Sequence, residues 1–172
     1  MTMKDEVRAT LVKPSTVRLE RLLPGPVERV WAYLVDAKKR ATWLAGGEIE
    51  LKVGGRVELI FDNDSLSEDV PHGGGTRKFE GKVTRLEPLR ALAYTWNWEG
   101  KETEVLYELK AKGKDVLLTI QHRLPEGGGM IKGVSAGWAV HTGILADQLS
   151  GVKPRPFWTT HDQLMKEFAA AN

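Results

Sequence analysis

Residues 130–151 read MIKGVSAGWAVHTGILADQLSG, and their spacing decides the fold. At about 100° per residue, Ile131, Val134, Trp138, Thr142, Leu145 and Leu149 fall in one line along a helix. Met130, Gly137, His141, Ile144 and Gln148 fall in the line beside it, while Lys132, Ala136, Ala139, Gly143 and Ser150 lie opposite. The pattern predicts a long helix over 130–149, closed by Gly151. An apolar arc this broad needs an equally broad apolar surface to cover it.

That surface is written upstream, where the period is two. Segment 48–53, EIELKV, alternates Ile49, Leu51 and Val53 with charged residues, and Gly54-Gly55 signals a two-residue hairpin into RVELIF, which carries Val57, Leu59 and Phe61 on one face. Further strands are expected near 76–86 (Phe79, Gly81, Val83), 90–98 (Leu92, Tyr94, Trp96, Trp98), 102–110 (Thr103, Val105, Tyr107, Leu109) and 115–124 (Val116, Leu118, Ile120, His122). Short breaks separate them, as in an antiparallel meander. The polar, Gly-rich stretch 62–75 reads as a loop.

Before the meander, TVRLERL (16–22) suits a strand. Val27, Val30, Trp31 and Leu34 mark an amphipathic helix behind Pro26, and AKKRATWL (37–44) a short second one. The KKR run at 38–40 reads as a solvated helix face. Behind the long helix, a Pro-bearing linker leads to a terminal helix, with Thr160 and Gln163 as a capping box and Phe157, Leu164, Met165 and Phe168 as its apolar side. Phe157, Trp158, Leu164 and Phe168 are expected to pack on the body or on a second subunit.

The fold class is therefore α+β: a curved antiparallel sheet wrapped around a long C-terminal helix, two short helices after the first strand, and an extra terminal helix. The expected organisation is a loose lead-in over 1–15, a folded unit over 16–151, and a linker with terminal helix over 152–172.

Composition narrows the function. The 172 residues are 41% hydrophobic and 28% charged, which excludes wholesale disorder. A net charge of +2, from 25 basic and 23 acidic residues, gives no basic field for nucleic acid. The absence of cysteine excludes disulfides and thiol catalysis. No apolar run approaches the ~20 residues of a membrane span, and the opening residues carry no apolar signal core, so a cytoplasmic protein is expected. The segment GTRKFEGKV (75–83) fails as a phosphate loop because its glycines are misspaced, and a calcium loop from Asp62 would place Gly73 where the bidentate glutamate belongs.

The remaining chemistry is aromatic and imidazole. His141 lies in the helix arc and His122 on the apolar face of the last strand. Each is satisfied by a core hydrogen bond or anchors a ligand's polar end. Two histidines without an inward carboxylate make a poor metal set, so no metal or cofactor is expected. Gly133 and Gly137 on the helix permit close approach or leave room for a ligand. The candidate cavity residues from the sheet are Leu59, Phe61, Phe79, Tyr94, Trp96, Tyr107 and His122; from the helix they are Gly137, Trp138, His141 and Leu145.

The chain also resembles the SRPBCC superfamily, with the helix-grip fold of START and Bet v 1 proteins, and within it the branch related to the C-terminal domain of the activator of Hsp90 ATPase. The resemblance is carried by PVERVWAYLVDAKKRATWL (26–44), IELKVGGRVEL (49–59), KVTRLEPLRALAYTWNW (82–98), LLTIQHRLP (117–125) and GWAVHTGILADQLSG (137–151), and covers roughly 16–151. The terminal helix and the Gly-rich loop at 127–129 depart from it. It implies an apolar cavity between sheet and long helix, and hence a small apolar or amphipathic ligand. It also implies a chaperone partner as an alternative, with a co-chaperone acting on an Hsp90-type ATPase. Homodimerisation through the terminal helix and a cyclase- or hydrolase-like enzyme using cavity His or Tyr side chains remain open; no catalytic residue is singled out.

Overall fold

The computed structural model describes residues 7–13, 15–126 and 130–170. The chain runs through strands β1 (Val7–Lys13) and β2 (Thr16–Pro24), then helices α1 (Val27–Val35) and α2 (Ala37–Arg40). Strands β3 (Arg56–Phe61), β4 (Arg77–Glu87), β5 (Ala91–Trp98), β6 (Lys101–Lys112) and β7 (Asp115–Arg123) follow, then helices α3 (Ile131–Ser150) and α4 (Phe157–Ala170).

All seven strands form one antiparallel sheet in the order β1-β2-β7-β6-β5-β4-β3. Successive strands of the meander pair directly. The helices α1 and α2 carry the chain from β2, beside β7, to the far edge, where β3 sits. Register slips at Leu11/Lys13 and Val83/Arg85 are the kind of irregularity that bends a strand and lets a sheet curl. The pleat places Val17, His122, Val105 and Tyr94 in one cross-strand row, with Leu19, Ile120, Tyr107 and Leu92 in the next. Each of these side chains is buried. Helix α3 lies on this face as the grip helix, and buried Arg21 of β2 holds it there. The Arg21 Nε donates to Thr142 Oγ1 at 3.0 Å and its Nη2 to the Ala139 carbonyl at 3.2 Å.

Four expectations change. Part of the lead-in is a strand, β1, paired along β2; residues 1–6 and the loop at 127–129 lie outside the described residues. Segment 48–53 is not a strand. It meets β3 through the isolated bridge Ile49–Val57, with a second bridge, Gly46–Ile60, just before it, and Leu51 and Val53 are 46% and 67% exposed. The chain instead loops back around Gly54-Gly55, closed by Glu50 N donating to the Arg56 carbonyl. Third, the helix face read as lying opposite the apolar arc is covered along its middle: Ala136, Ala139 and Gly143 are buried, with Arg155 directly on Gly143, while Lys132 and Ser150 at its ends are exposed. Fourth, Lys38 and Lys39 are solvated but Arg40 is 1% exposed.

Helix α4 packs on the body, with Phe157 buried. Its first turn is not closed by a Thr160–Gln163 box. Loop 62–75 does that work: Phe157 N donates to Ser67 Oγ (2.8 Å), Thr159 N to Asp69 Oδ2 (2.8 Å) and the Trp158 indole to Asp64 Oδ1 (2.7 Å). His72 stacks flat on Trp158 at 3.9 Å. The Trp158 indole holds the Asp64 carboxyl below its ordinary value, and the Thr159 amide does the same for Asp69. Asp69→Ala is therefore expected to speed amide exchange in the first turn of α4 several-fold while the sheet amides stay unchanged. Unaltered exchange there would show that the cap does not hold the helix.

Candidate functional site

A cavity of about 430 Å³ lies between one end of the sheet and the N-terminal half of α3, with α4 as a side wall. That is within the usual ~300–1,000 Å³ of small-molecule sites. The sheet supplies Phe61 from the end of β3, Phe79 from β4, Trp96 and Trp98 from β5, and His122 from β7. Helix α3 supplies Gly133, Val134, Gly137, Trp138 and His141, and Met130 precedes it. Phe157, Trp158 and His161 come from α4, and Leu44 and Asn63 from the intervening loops.

Most of the wall is ring surface. Phe61 stacks on Trp96 (5.3 Å), which stacks on Trp98 (5.4 Å), and Phe79 leans on all three at 5.4–5.6 Å. Trp138 faces Trp96 edge-on at 6.1 Å. The glycines of α3 leave space: a Cβ added at Gly133 or Gly137 would meet nothing within 4 Å. Among the described residues, the charged side chains lining the cavity are Arg77 and Glu99, and both are exposed, so they belong to its rim.

The two inward histidines do different things. The Trp138 indole N–H donates to His122 Nδ1 at 3.0 Å, so that nitrogen carries no proton. Its Nε2–H therefore donates to Thr103 Oγ1 (2.8 Å), and Thr103 in turn donates to the Trp96 carbonyl (2.7 Å). Both ring nitrogens are engaged inside the protein, and burial pushes the His122 pKa down to about 3. His122 is thus a fixed wall with no lone pair for proton transfer. His141 Nδ1 lies 2.8 Å from the Trp43 carbonyl, which can only accept, so Nδ1 holds the proton. Nε2 has no partner among the described residues and is available to the cavity as an acceptor. Burial holds this imidazole neutral, with a pKa near 4.

Three buried side-chain polar atoms among the described residues have no hydrogen-bond partner in the protein: Asn63 Oδ1, Trp96 Nε1 and His161 Nδ1. All three belong to residues lining this cavity.

Of the residues singled out in the sequence, Phe61, Phe79, Trp96 and His122 line the cavity from the sheet, and Gly137, Trp138 and His141 from the helix. Leu59, Tyr94, Tyr107 and Leu145 are buried elsewhere in the core. The Tyr94 and Tyr107 hydroxyls bond each other at 2.5 Å, and burial pushes Tyr94 up to about 12, so this pair stays un-ionised and self-satisfied. Among the described residues no group of histidines and carboxylates has the arrangement to hold a metal ion, and no helix is long and apolar enough to cross a membrane.

The family model for activator of Hsp90 ATPase homolog 1-like proteins matches residues 24–150. The chain belongs to that family. Among solved structures it resembles a Bordetella parapertussis protein studied by NMR, at 36% identity over 98% of this chain and 92% of that one, with a TM-score of 0.78. CalU16 from Micromonospora echinospora matches at 22% identity over 96% and 94% of the two chains (TM-score 0.69). DynU16, described as a putative protein in the dynemicin biosynthetic locus, matches at 24% over 83% of this chain and 49% of its own (TM-score 0.66). The latter two show a shared fold alone. No match was found among curated proteins. The family model ends before α4, so the wall residues Phe157, Trp158 and His161 lie outside the matched region.

Proposed function

We propose that the protein binds a small apolar or amphipathic molecule in the cavity between its sheet and α3. The observation that carries this reading is the cavity itself, about 430 Å³ walled by Phe61, Phe79, Trp96, Trp98 and Trp138 and left open by Gly133 and Gly137. An unpaired buried polar group costs about 1–3 kcal/mol, and native cores leave few of them. A ligand's apolar body would cover the rings, and the wall residues Asn63 and Trp96 each hold such a buried polar atom, which a ligand reaches only where the side chain turns toward the cavity. Gly137 and Gly133 support the same reading. Glycine costs up to about 1 kcal/mol against alanine in a helix, and here it keeps open a volume that no neighbour fills.

The test is Gly137→Leu. Its side chain enters open space at Cβ, so the variant should fold with wild-type stability or better. Nile red, a neutral apolar dye, should bind the wild type and lose about tenfold or more in affinity on the variant, equivalent to ~1.4 kcal/mol. Native mass spectrometry of protein purified from cells should show a small molecule carried by the wild type and missing from Gly137→Leu. Equal dye uptake by both proteins, or none by the wild type, would refute the reading.

A further inference from the structure

Resting on that reading, we propose that the cavity selects an uncharged, flat aromatic molecule bearing a hydroxyl group, which donates to Nε2 of His141. The walls set the shape. Phe61, Trp96 and Trp98 present stacked ring faces, and Trp138 an edge opposite them. A rigid ring system meets these faces in the offset and edge-to-face arrangements that aromatic groups prefer. A flexible alkyl chain gains no stacking there and loses its rotor freedom on entering.

Hydrogen-bond polarity sets the functional group. His141 Nε2 can only accept, because the Trp43 carbonyl fixes the proton on Nδ1. The acceptor stands beside the aromatic wall, with the His141 ring 5.8 Å from Phe61, which stacks on Trp96. An aromatic hydroxyl answers it, giving its proton to His141 Nε2.

The charge lining excludes ions. Arg77 and Glu99 stand at the exposed rim, and Arg77 lies over the Phe79 ring at 5.3 Å. A carboxylate inside would meet the His141 lone pair with no cation to offset its lost hydration. An ammonium would lose its hydration among the rings with no carboxylate inside to offset the loss.

Four probes of graded chemistry test this on the intact wild-type chain, read by tryptophan fluorescence and calorimetry: 2-naphthol, 2-methoxynaphthalene, naphthalene-2-carboxylate and 1-decanol. The expected order has 2-naphthol about tenfold or more tighter than each of the others, the factor that one well-formed hydrogen bond or one avoided buried charge confers. In His141→Phe, the preference for 2-naphthol over 2-methoxynaphthalene should vanish while both still bind. Equal binding of 2-naphthol and 2-methoxynaphthalene to the wild type overturns the hydroxyl assignment. Tightest binding of the carboxylate or of 1-decanol overturns the neutral aromatic class and leaves a binding cavity of other specificity. Failure of all four, together with failure of Nile red, removes the binding reading itself.

Discussion

Taking the protein from about pH 7 to about pH 5 is expected to remove several kcal/mol of its stability, with two buried histidines as the cause. His122 is 0% and His141 6% exposed, and both are held neutral when folded. The physical obstacles are specific. Protonating His122 at Nδ1 would set an N–H against the Trp138 indole N–H that now donates to it, with Arg123 adding a second positive charge nearby. Protonating His141 at Nε2 would place a charge between the rings of Phe61 and Phe157, beside His161. In the unfolded chain both titrate at the ordinary 6.5. Their folded values are depressed to about 3 and about 4, so the unfolded state takes up protons first. Stability is therefore complete above 6.5 and falls as pH drops toward the folded values. Each histidine contributes a slope of about 1.4 kcal/mol per pH unit, or ~5–7 kcal/mol for the pair between about pH 6.5 and pH 4. A domain holds only about 5–15 kcal/mol in total. The acidic contacts of α4 act later: Asp64 and Asp69 lie below their ordinary 3.8, so what they contribute is present above that value and lost only below it. Urea midpoints should decline steadily from about pH 6.5 downward, and His141→Gln should halve the slope. Equal midpoints at about pH 7 and pH 5 would refute the assignment.

Those histidines were legible because periodicity reports faces. His122 follows Leu118 and Ile120 at a spacing of two, and His141 lies in the helix arc, so both point inward from spacing alone. Spacing does not report depth along a face. Tyr94 and Trp96 share one side of β5, yet only Trp96 reaches the cavity, because the site occupies one end of the sheet. The wall from α4 escaped for a different reason. The terminal helix could be read from its own pattern, but its docking depends on Asp64, Ser67 and Asp69, some ninety positions away. Polar contacts at that separation leave no period. The acidic stretch DNDSLSED at 62–69 was their only trace. Strand β1 was within reach: Val7, Ala9 and Leu11 alternate with polar residues, a pattern obscured by the charged residues before them.

Replacing Arg40 by methionine should cost about 4 kcal/mol or more, although the residue sits in a Lys-Lys-Arg run that reads as a solvated face. Two competing effects decide the magnitude. The guanidinium is buried, and no carboxylate pairs with it among the described residues, so its removal recovers a desolvation cost, which for buried ion pairs makes hydrophobic replacement nearly neutral. The partners here, however, are main-chain carbonyls that no substitution removes. Helix α1 ends at Val35 and the chain turns again at 45–47, which brings carbonyls into one place with few amides to serve them. Arg40 Nε donates to the Ala45 carbonyl at 3.0 Å, Nη1 to Leu34 at 3.2 Å and Val35 at 3.4 Å, and Nη2 to Gly47. Only a guanidinium carries enough donors in a fixed fork to reach all four. Methionine would strand them, and charge-assisted bonds are worth about 1.5–3 kcal/mol apiece before any overlap between them. Lysine would rescue only part of the loss, because one ammonium cannot span both sides of the knot. The effect should extend to the site, since Arg40 fixes the segment bearing Leu44, which lines the cavity, and Trp43, whose carbonyl orients His141. Chemical denaturation should therefore rank Arg40→Met far below Arg40→Lys and the wild type, with Lys39→Met within about 0.5 kcal/mol of wild type. If Arg40→Met and Lys39→Met unfold at the same denaturant concentration, the carbonyl knot contributes nothing and the buried guanidinium is incidental to the fold.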